Sequence, residues 1–183
     1  MIMNKIYIYL ILPILLLCSA FVVNINRVEG QLDVKESNHT SEDDYSASID
    51  GWIVGLDSAY KKSQETGLPI LANFTGSDWC GWCIRLKSSV FSKEEFKAWA
   101  DTSVVLYEVD SPRYLKVPED IMNENNQLKS FFGIKGFPTV WIFDLSKAEG
   151  AESFTVKGLG KLGYESSAKS FVTKAQKIIR SQN

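Results

Sequence analysis

The sequence predicts an α/β fold, a central mixed β-sheet flanked by helices on both faces. Three observations predict it. Short apolar runs of strand length alternate with stretches of helical periodicity. The first of these strands passes through a tight turn directly into a helix, and the last two strands are close enough in sequence to form a hairpin, so parallel and antiparallel pairings coexist. The 183 residues, 45% hydrophobic and 12% aromatic, suffice for one well-buried domain and are too few for two of ordinary size.

The elements follow in order. Asp57 can cap a helix over 58–66, where Ala59, Tyr60 and Ser63 share a face and Gly67 with Pro69 ends it. Pro69 to Thr75 is a short apolar run between breakers and reads as a buried strand. Gly76-Ser77-Asp78 turns the chain into a helix that starts near Cys80 and carries Leu86 and Val90. Ser92 with Glu95 forms a capping box for a further helix through Phe96 and Trp99. Val104 to Val109 alternates and is rich in β-branched residues, a second strand. The polar stretch 111–123 is expected to be a solvated loop, followed by a helix over 125–132 that Gly133 ends. Thr139 to Phe143 is a third strand, paired through a hairpin with 153–157. A last amphipathic helix over about 166–181 buries Phe171, Ala175, Ile178 and Ile179.

Residues 1–30 are expected to be a signal peptide or an N-terminal anchor. Lys5 precedes an apolar run from Ile6 to Leu17, and small residues follow at Cys18, Ser19 and Ala20. Cleavage after Ala20 fits the small residues there, and cleavage after Gly30 fits as well. If the run extends to Val23, it reaches the lower edge of a membrane span, which leaves the anchor open beside the cleaved signal. Lipidation of Cys18 is disfavoured by Leu17 in front of it. Residues 31–49 are polar and acidic and are expected to be a disordered linker, and 50–183 the folded domain. The 20 Lys plus Arg nearly balance 22 Asp plus Glu, with no block of either sign to follow a phosphate backbone. No nucleic-acid partner is expected, and a monomer is.

Loss of the leader removes Cys18 and leaves Cys80 and Cys83 as the cysteines of the mature chain. A disulfide across two intervening residues restrains the unfolded chain very little, so the pair points to reactivity rather than stability. Thiol-disulfide exchange needs an accessible thiolate and a second thiol near enough to resolve the mixed disulfide. At a helix start, unpaired N–H groups and the positive end of the dipole favour the Cys80 thiolate, with Cys83 one turn in. Cys80 is therefore the expected nucleophile and Cys83 the resolving thiol. No metal is expected, since tetrahedral zinc needs two more ligands and the only histidine is His39, in the linker. No cofactor is expected beyond the redox-active Cys80–Cys83 disulfide itself.

The run Phe74-Thr75-Gly76-Ser77-Asp78-Trp79-Cys80-Gly81-Trp82-Cys83, with Gly136-Phe137-Pro138-Thr139 after it, resembles the thioredoxin superfamily over about 52–179. The resemblance implies the thioredoxin-like fold and a cis bond before Pro138, which would face the active-site disulfide while the backbone of Phe137 pairs with substrate polypeptide. It is looser for the exported members with a longer active-site loop and an Asp-x-Pro-Arg stretch, here Asp110-Ser111-Pro112-Arg113. Asn73 stands where thioredoxin has a buried carboxylate that assists the resolving cysteine, and an amide cannot relay a proton as a carboxylate does. Water, Asp78 or Glu108 remain as substitutes, and Asp78 is equally readable as a helix cap. Trp79 is expected to pack against the site and Trp82 to form a surface that meets substrate.

Gly81 and Trp82 between the cysteines supply no histidine to stabilise the thiolate, so the disulfide is expected to be a weaker oxidant than those of strongly oxidising relatives. The expected activity is a protein-disulfide reductase or exchange protein outside the cytoplasm, periplasmic or otherwise extracytoplasmic. Its partners would be cysteine-containing proteins and, as the resemblance implies, a membrane-embedded thiol electron donor. Two alternatives stand beside it: a non-catalytic binding or adaptor module, and a dedicated reductant of apocytochrome thiols.

Overall fold

A computed structural model describes residues 28–34 and 45–181. The apolar leader with Cys18, and the part of the linker that holds His39, lie outside the described residues. Five strands, β1 (Glu29–Leu32), β2 (Ile70–Thr75), β3 (Val105–Asp110), β4 (Thr139–Ser146) and β5 (Phe154–Leu162), form one sheet in the order β1-β5-β4-β2-β3. β2 and β3 run parallel, and the other neighbours are antiparallel. The helices are α1 (Leu56–Thr66), α2 (Gly81–Leu86), α3 (Glu94–Ser103), α4 (Glu119–Phe131) and α5 (Ala168–Arg180). A π-helical turn, Lys87–Phe91, extends α2.

The period-two alternation of the strands divides the core into two layers. Ile70, Ala72 and Phe74 of β2 join Tyr107, Trp141 and Phe143 under α1 and α4. Leu71 joins Val140 and Ile142 on the opposite face, under α2, α3 and α5, where Phe171 meets Phe91 and Phe96 edge to face and those two rings are tilted against each other. With neighbours on both edges and helices on both faces, β2 is buried at every residue. This explains why its sequence is a continuous apolar run rather than an alternating one.

Several element boundaries differ from the sequence expectation, each for a local reason. Asp57 does not cap α1; Gly55, at φ 84°, takes the N-cap position, and the Leu56 N–H is received by the Glu124 carboxylate at 2.8 Å. The capping box at Ser92 does not form, because its N–H and its hydroxyl both go to the Lys87 carbonyl left by the π-turn. The helix expected from Asn125 starts at Glu119, with Glu119 and Asp120 in its first turn, where acidic residues suit the dipole. The expected loop 111–123 is therefore a loop only over 111–118.

β5 runs on through Gly158 and Gly160, beyond the expected strand over 153–157. A Cβ at Gly158 would lie 2.8 Å from the Val28 carbonyl oxygen, and one at Gly160 would lie 2.9 Å from Ile178. Both glycines are there for close approach, a common use of glycine inside strands.

The linker expected over 31–49 is corrected at both ends. Gln31 and Leu32 belong to β1 and pair with Thr155 and Phe154, while Leu32 and Val34 reach the core. These two apolar side chains, spaced by two, are enough to add an edge strand to β5. At the far end Ile49 is buried, and Ser48 donates through both its N–H and its hydroxyl to Glu108. Gly30 pairs with Val156, so cleavage after Gly30 would divide β1.

Candidate functional site

β2 ends at Thr75, and the chain turns through Gly76 to Cys80, which is the N-cap of α2. The Cys80 N–H donates to the Gly76 carbonyl at 2.9 Å, which closes the turn. Cys80 and Cys83 are joined by a disulfide, and Cys80 Sγ accepts the Cys83 N–H at 3.2 Å. A sulfur in this position faces an N–H that the helix itself leaves unpaired, which favours a thiolate there once the bond is reduced. Both cysteines are buried, and they differ in what they line. Cys80 lines a groove of about 520 Å³ with Trp79, Phe137, Ile134, Lys129 and Lys135, and Cys83 does not reach it.

The peptide between Phe137 and Pro138 is cis, and Phe137 forms one wall of the groove. The Phe137 ring meets the Trp79 indole edge to face, with centroids 6.0 Å apart. Trp79 is further held by its Nε1, which donates to the Ser111 carbonyl at 2.9 Å, and by the Arg113 guanidinium, 3.9 Å over its ring. Trp82 has the opposite environment. It is 56% exposed, with Arg85 over its ring and Tyr164 against its edge. Gly81 leaves open space where a side chain would begin.

Gly76 is required by Trp79. A Cβ there would lie 2.6 Å from Nε1 and Cε2 of the indole, closer than any real contact. Gly76→Ala is expected to push Trp79 off Ser111, to change the tryptophan fluorescence and to cost about 1–2 kcal/mol, the usual scale of overpacking. Chemical denaturation followed by fluorescence checks both effects.

Asp78 does not cap α2, whose N-cap is Cys80. Its carboxylate accepts the backbone N–H groups of Arg113, Tyr114 and Leu115, at 3.0, 2.7 and 3.1 Å. Desolvation raises its pKa, but these N–H groups outweigh it and hold the carboxyl below its ordinary range. Such a group stays ionised and is poorly suited to take up a proton.

Asn73 is buried on β2, in register with Glu108 on β3 and Val140 on β4, and its Oδ1 has no hydrogen-bond partner among the described residues. Glu108 is buried beside it. Desolvation pushes the Glu108 carboxyl up, while the bonds from Ser48 and the charge of Lys87 oppose that shift. Lys87 in turn donates to the Ser48 carbonyl. Of the two carboxylates weighed in sequence as substitutes for the one Asn73 lacks, Glu108 is therefore the neighbour of Asn73, and Asp78 is engaged elsewhere.

Several residues of the site were not singled out in sequence. Asp110, at the end of β3, accepts the Ser77 hydroxyl and N–H and the Ser111 N–H, tying the catalytic turn to the loop after β3. Lys129 on α4 donates to the Ser111 hydroxyl from the groove side. The signal available was the Asp110-Ser111-Pro112-Arg113 stretch, which turns out to form the far side of the site.

Comparison with known proteins gives a consistent answer. Residues 56–161 match the thioredoxin-like domain family. Disulfide bond reductase DsbH of Chlamydia pneumoniae is 36% identical over 107 residues, 58% of this chain and 59% of DsbH. Thioredoxin-related protein DsbJ of the same organism is 32% identical over 98 residues, 54% of this chain and 28% of DsbJ. The chain thus spans less than two thirds of the length of these curated relatives. Among solved structures, a DsbH oxidoreductase superposes with a TM-score of 0.61 at 29% identity, over 79% of this chain and 94% of that one. A thioredoxin from Thermus thermophilus superposes with a TM-score of 0.52 at 16% identity, over 72% and 88%, which speaks for the fold alone. Because the family match runs unbroken from α1 into β5 and takes in both cysteines and Pro138, the chain belongs to the thioredoxin-like domain family.

Proposed function

We propose that this chain is a thiol-disulfide oxidoreductase that reduces disulfides in protein substrates outside the cytoplasm. The observation that carries the reading is the Cys80–Cys83 disulfide at the start of α2, with only Cys80 reaching the groove beside Pro138. The likeness to a protein named disulfide bond reductase supports the direction, as does the absence of histidine between the cysteines.

In the reduced form, the Cys80 thiolate attacks one sulfur of a substrate disulfide, forming a bond to Cys80 and releasing the other substrate sulfur as a thiolate, which takes up a proton. Cys83 then attacks Cys80 Sγ and loses its own proton. The second substrate thiol is released and the Cys80–Cys83 disulfide forms, so two electrons pass to the substrate, whose two sulfurs take up the Cys83 proton and one from water. A thiol donor must return them, and an exported protein would draw on one embedded in the membrane. Glu108, buried beside Asn73, is the group to which we assign the Cys83 proton.

The test is trapping. Cys83→Ala is expected to stall the reaction as a mixed disulfide at Cys80, which non-reducing electrophoresis and mass spectrometry would detect and which dithiothreitol would dissolve. No trapped adduct with any disulfide-bonded protein would sink the reading. Redox titration of the wild type checks the direction. Its potential is expected nearer the about −270 mV of thioredoxin than the about −120 mV of strongly oxidising relatives.

A further inference from the structure

The large apolar side chains that stay exposed among the described residues are Trp82, Ile84, Tyr114, Leu115 and Met122. Two are on α2, directly after Cys80, and the other three lie in the loop 111–118 or the first turn of α4. The side chain most exposed of these is Tyr114, at 80%. A single exposed apolar residue needs no explanation, but a group of them beside a reactive cysteine does.

The loop that carries Tyr114 and Leu115 is not loose. Asp78, in the catalytic turn, binds three consecutive N–H groups of it, at Arg113, Tyr114 and Leu115. Ser111 is fixed by four further contacts: its N–H donates to Thr75 and to Asp110, its carbonyl accepts from Trp79 and its hydroxyl accepts from Lys129. Arg113 stacks on Trp79. Trp79 and Lys129 are themselves walls of the groove that Cys80 opens into, so the loop is anchored on two walls of that groove. A backbone fixed in advance, with two large apolar side chains held in water, lowers the ordering cost of taking up a partner.

We propose that the loop 111–118 is a recognition wall for the substrate polypeptide. It would select segments with apolar side chains next to the reacting cysteine, and Asp78 is the positioning residue that holds it beside Cys80. The proposal rests on the oxidoreductase reading above. The occupant is the substrate rather than a second copy of the chain, because the loop is anchored on Trp79 and Lys129, which line the groove at the nucleophile.

The test uses the reduced full domain and two synthetic peptides, each with one cysteine carried as a mixed disulfide with thionitrobenzoate. The Cys80 thiolate attacks the peptide sulfur, a Cys80–peptide bond forms, and thionitrobenzoate leaves as a coloured thiolate. The two peptides differ only in having leucine or serine beside the cysteine. The leucine peptide is expected to react about tenfold faster, the order of effect that burying one such side chain supplies. In the double variant Tyr114→Ser/Leu115→Ser the ratio of the two rates is expected to fall to about two or less, and Asp78→Ala to lower it similarly. Asp78→Asn, which keeps an acceptor oxygen, restores part of the ratio. The ratio is internal to each variant, so a general loss of activity or fold does not imitate the result, and circular dichroism confirms that the variants are folded.

Equal rates for both peptides with the wild type, or a ratio unchanged in the double variant, would overturn the proposal. So would a wild-type dimer in sedimentation that the double variant breaks, since the face would then belong to a second copy. Failure of both peptides to release thionitrobenzoate would instead strike the oxidoreductase reading itself.

Discussion

Cys80→Ser is expected to abolish disulfide reduction, with a loss of at least about a thousandfold, because a serine hydroxyl is neither ionised nor nucleophilic enough to attack a disulfide. The substitution is well suited to separate chemistry from folding. Cys80 is the N-cap of α2 and its sulfur receives the Cys83 N–H. Serine is among the best residues at that position, so the helix start keeps an acceptor for the same N–H. The lost cross-link spans too few residues to have restrained the unfolded chain much. The variant should therefore match the reduced wild type in thermal stability while failing in insulin reduction with dithiothreitol, followed by turbidity. If the variant reduces insulin as fast as the wild type, the cysteine pair is incidental and the chain is a binding module on the same fold. The groove beside Pro138 would then be the whole of its function.

The parts of this site that were legible in sequence are those carried by local pattern. A continuous apolar run can become β2 only where both of its faces are covered, and Cys80 after a glycine-containing turn marks a helix start. The hidden parts depend on what the fold brings together. Asp78 looked like a cap or a proton carrier because those are the roles of an aspartate near a helix start, yet its partners are amides in a loop beyond β3. β1 was hidden because only Leu32 and Val34 in a polar stretch are apolar, and edge strands need little more than one buried face. The early start of α4 was hidden for a related reason: its first turns are polar on most sides, and only Ile121 and Glu124 turn inward. A glutamate with a buried face cannot be read from helical periodicity, which counts it as polar and assigns it to water.

That same Glu124 supplies the second large expected effect. It is 2% exposed, and its Oε1 accepts both the Tyr107 hydroxyl at 2.7 Å and the Leu56 N–H at 2.8 Å, so it serves as the acceptor that α1 lacks at its own N-cap. Desolvation dominates its ionisation. The two hydrogen bonds oppose that shift, Asp57 and Asp120 add to it, and the carboxyl is pushed up to about 7 from 4.5. The folded chain therefore binds this proton more tightly than the unfolded one. Its contribution is fully present below about pH 4.5, is lost as pH rises through about 7, and amounts to on the order of 3 kcal/mol across that window. Glu124→Gln keeps an oxygen at the position where both hydrogen bonds end and removes the ionisation. It is expected to raise the melting temperature by roughly 5–10 °C at pH 8 and to leave it nearly unchanged at pH 4.5. Glu108 shifts in the same direction, and Asp78 and Glu165 in the other, so the wild-type profile is a sum over several groups. The difference between wild type and variant isolates Glu124. Glu124→Leu separates the charge from the acceptor, since it strips the Leu56 N–H and the Tyr107 hydroxyl of their partner and should destabilise at both pH values by about 1–3 kcal/mol. Thermal unfolding of the three proteins at pH 4.5, 6 and 8 decides the matter. Wild-type and Glu124→Gln curves that stay parallel across that range would mean that the carboxylate is ionised throughout, and that α1 is anchored by a buried charge instead of a buried acid.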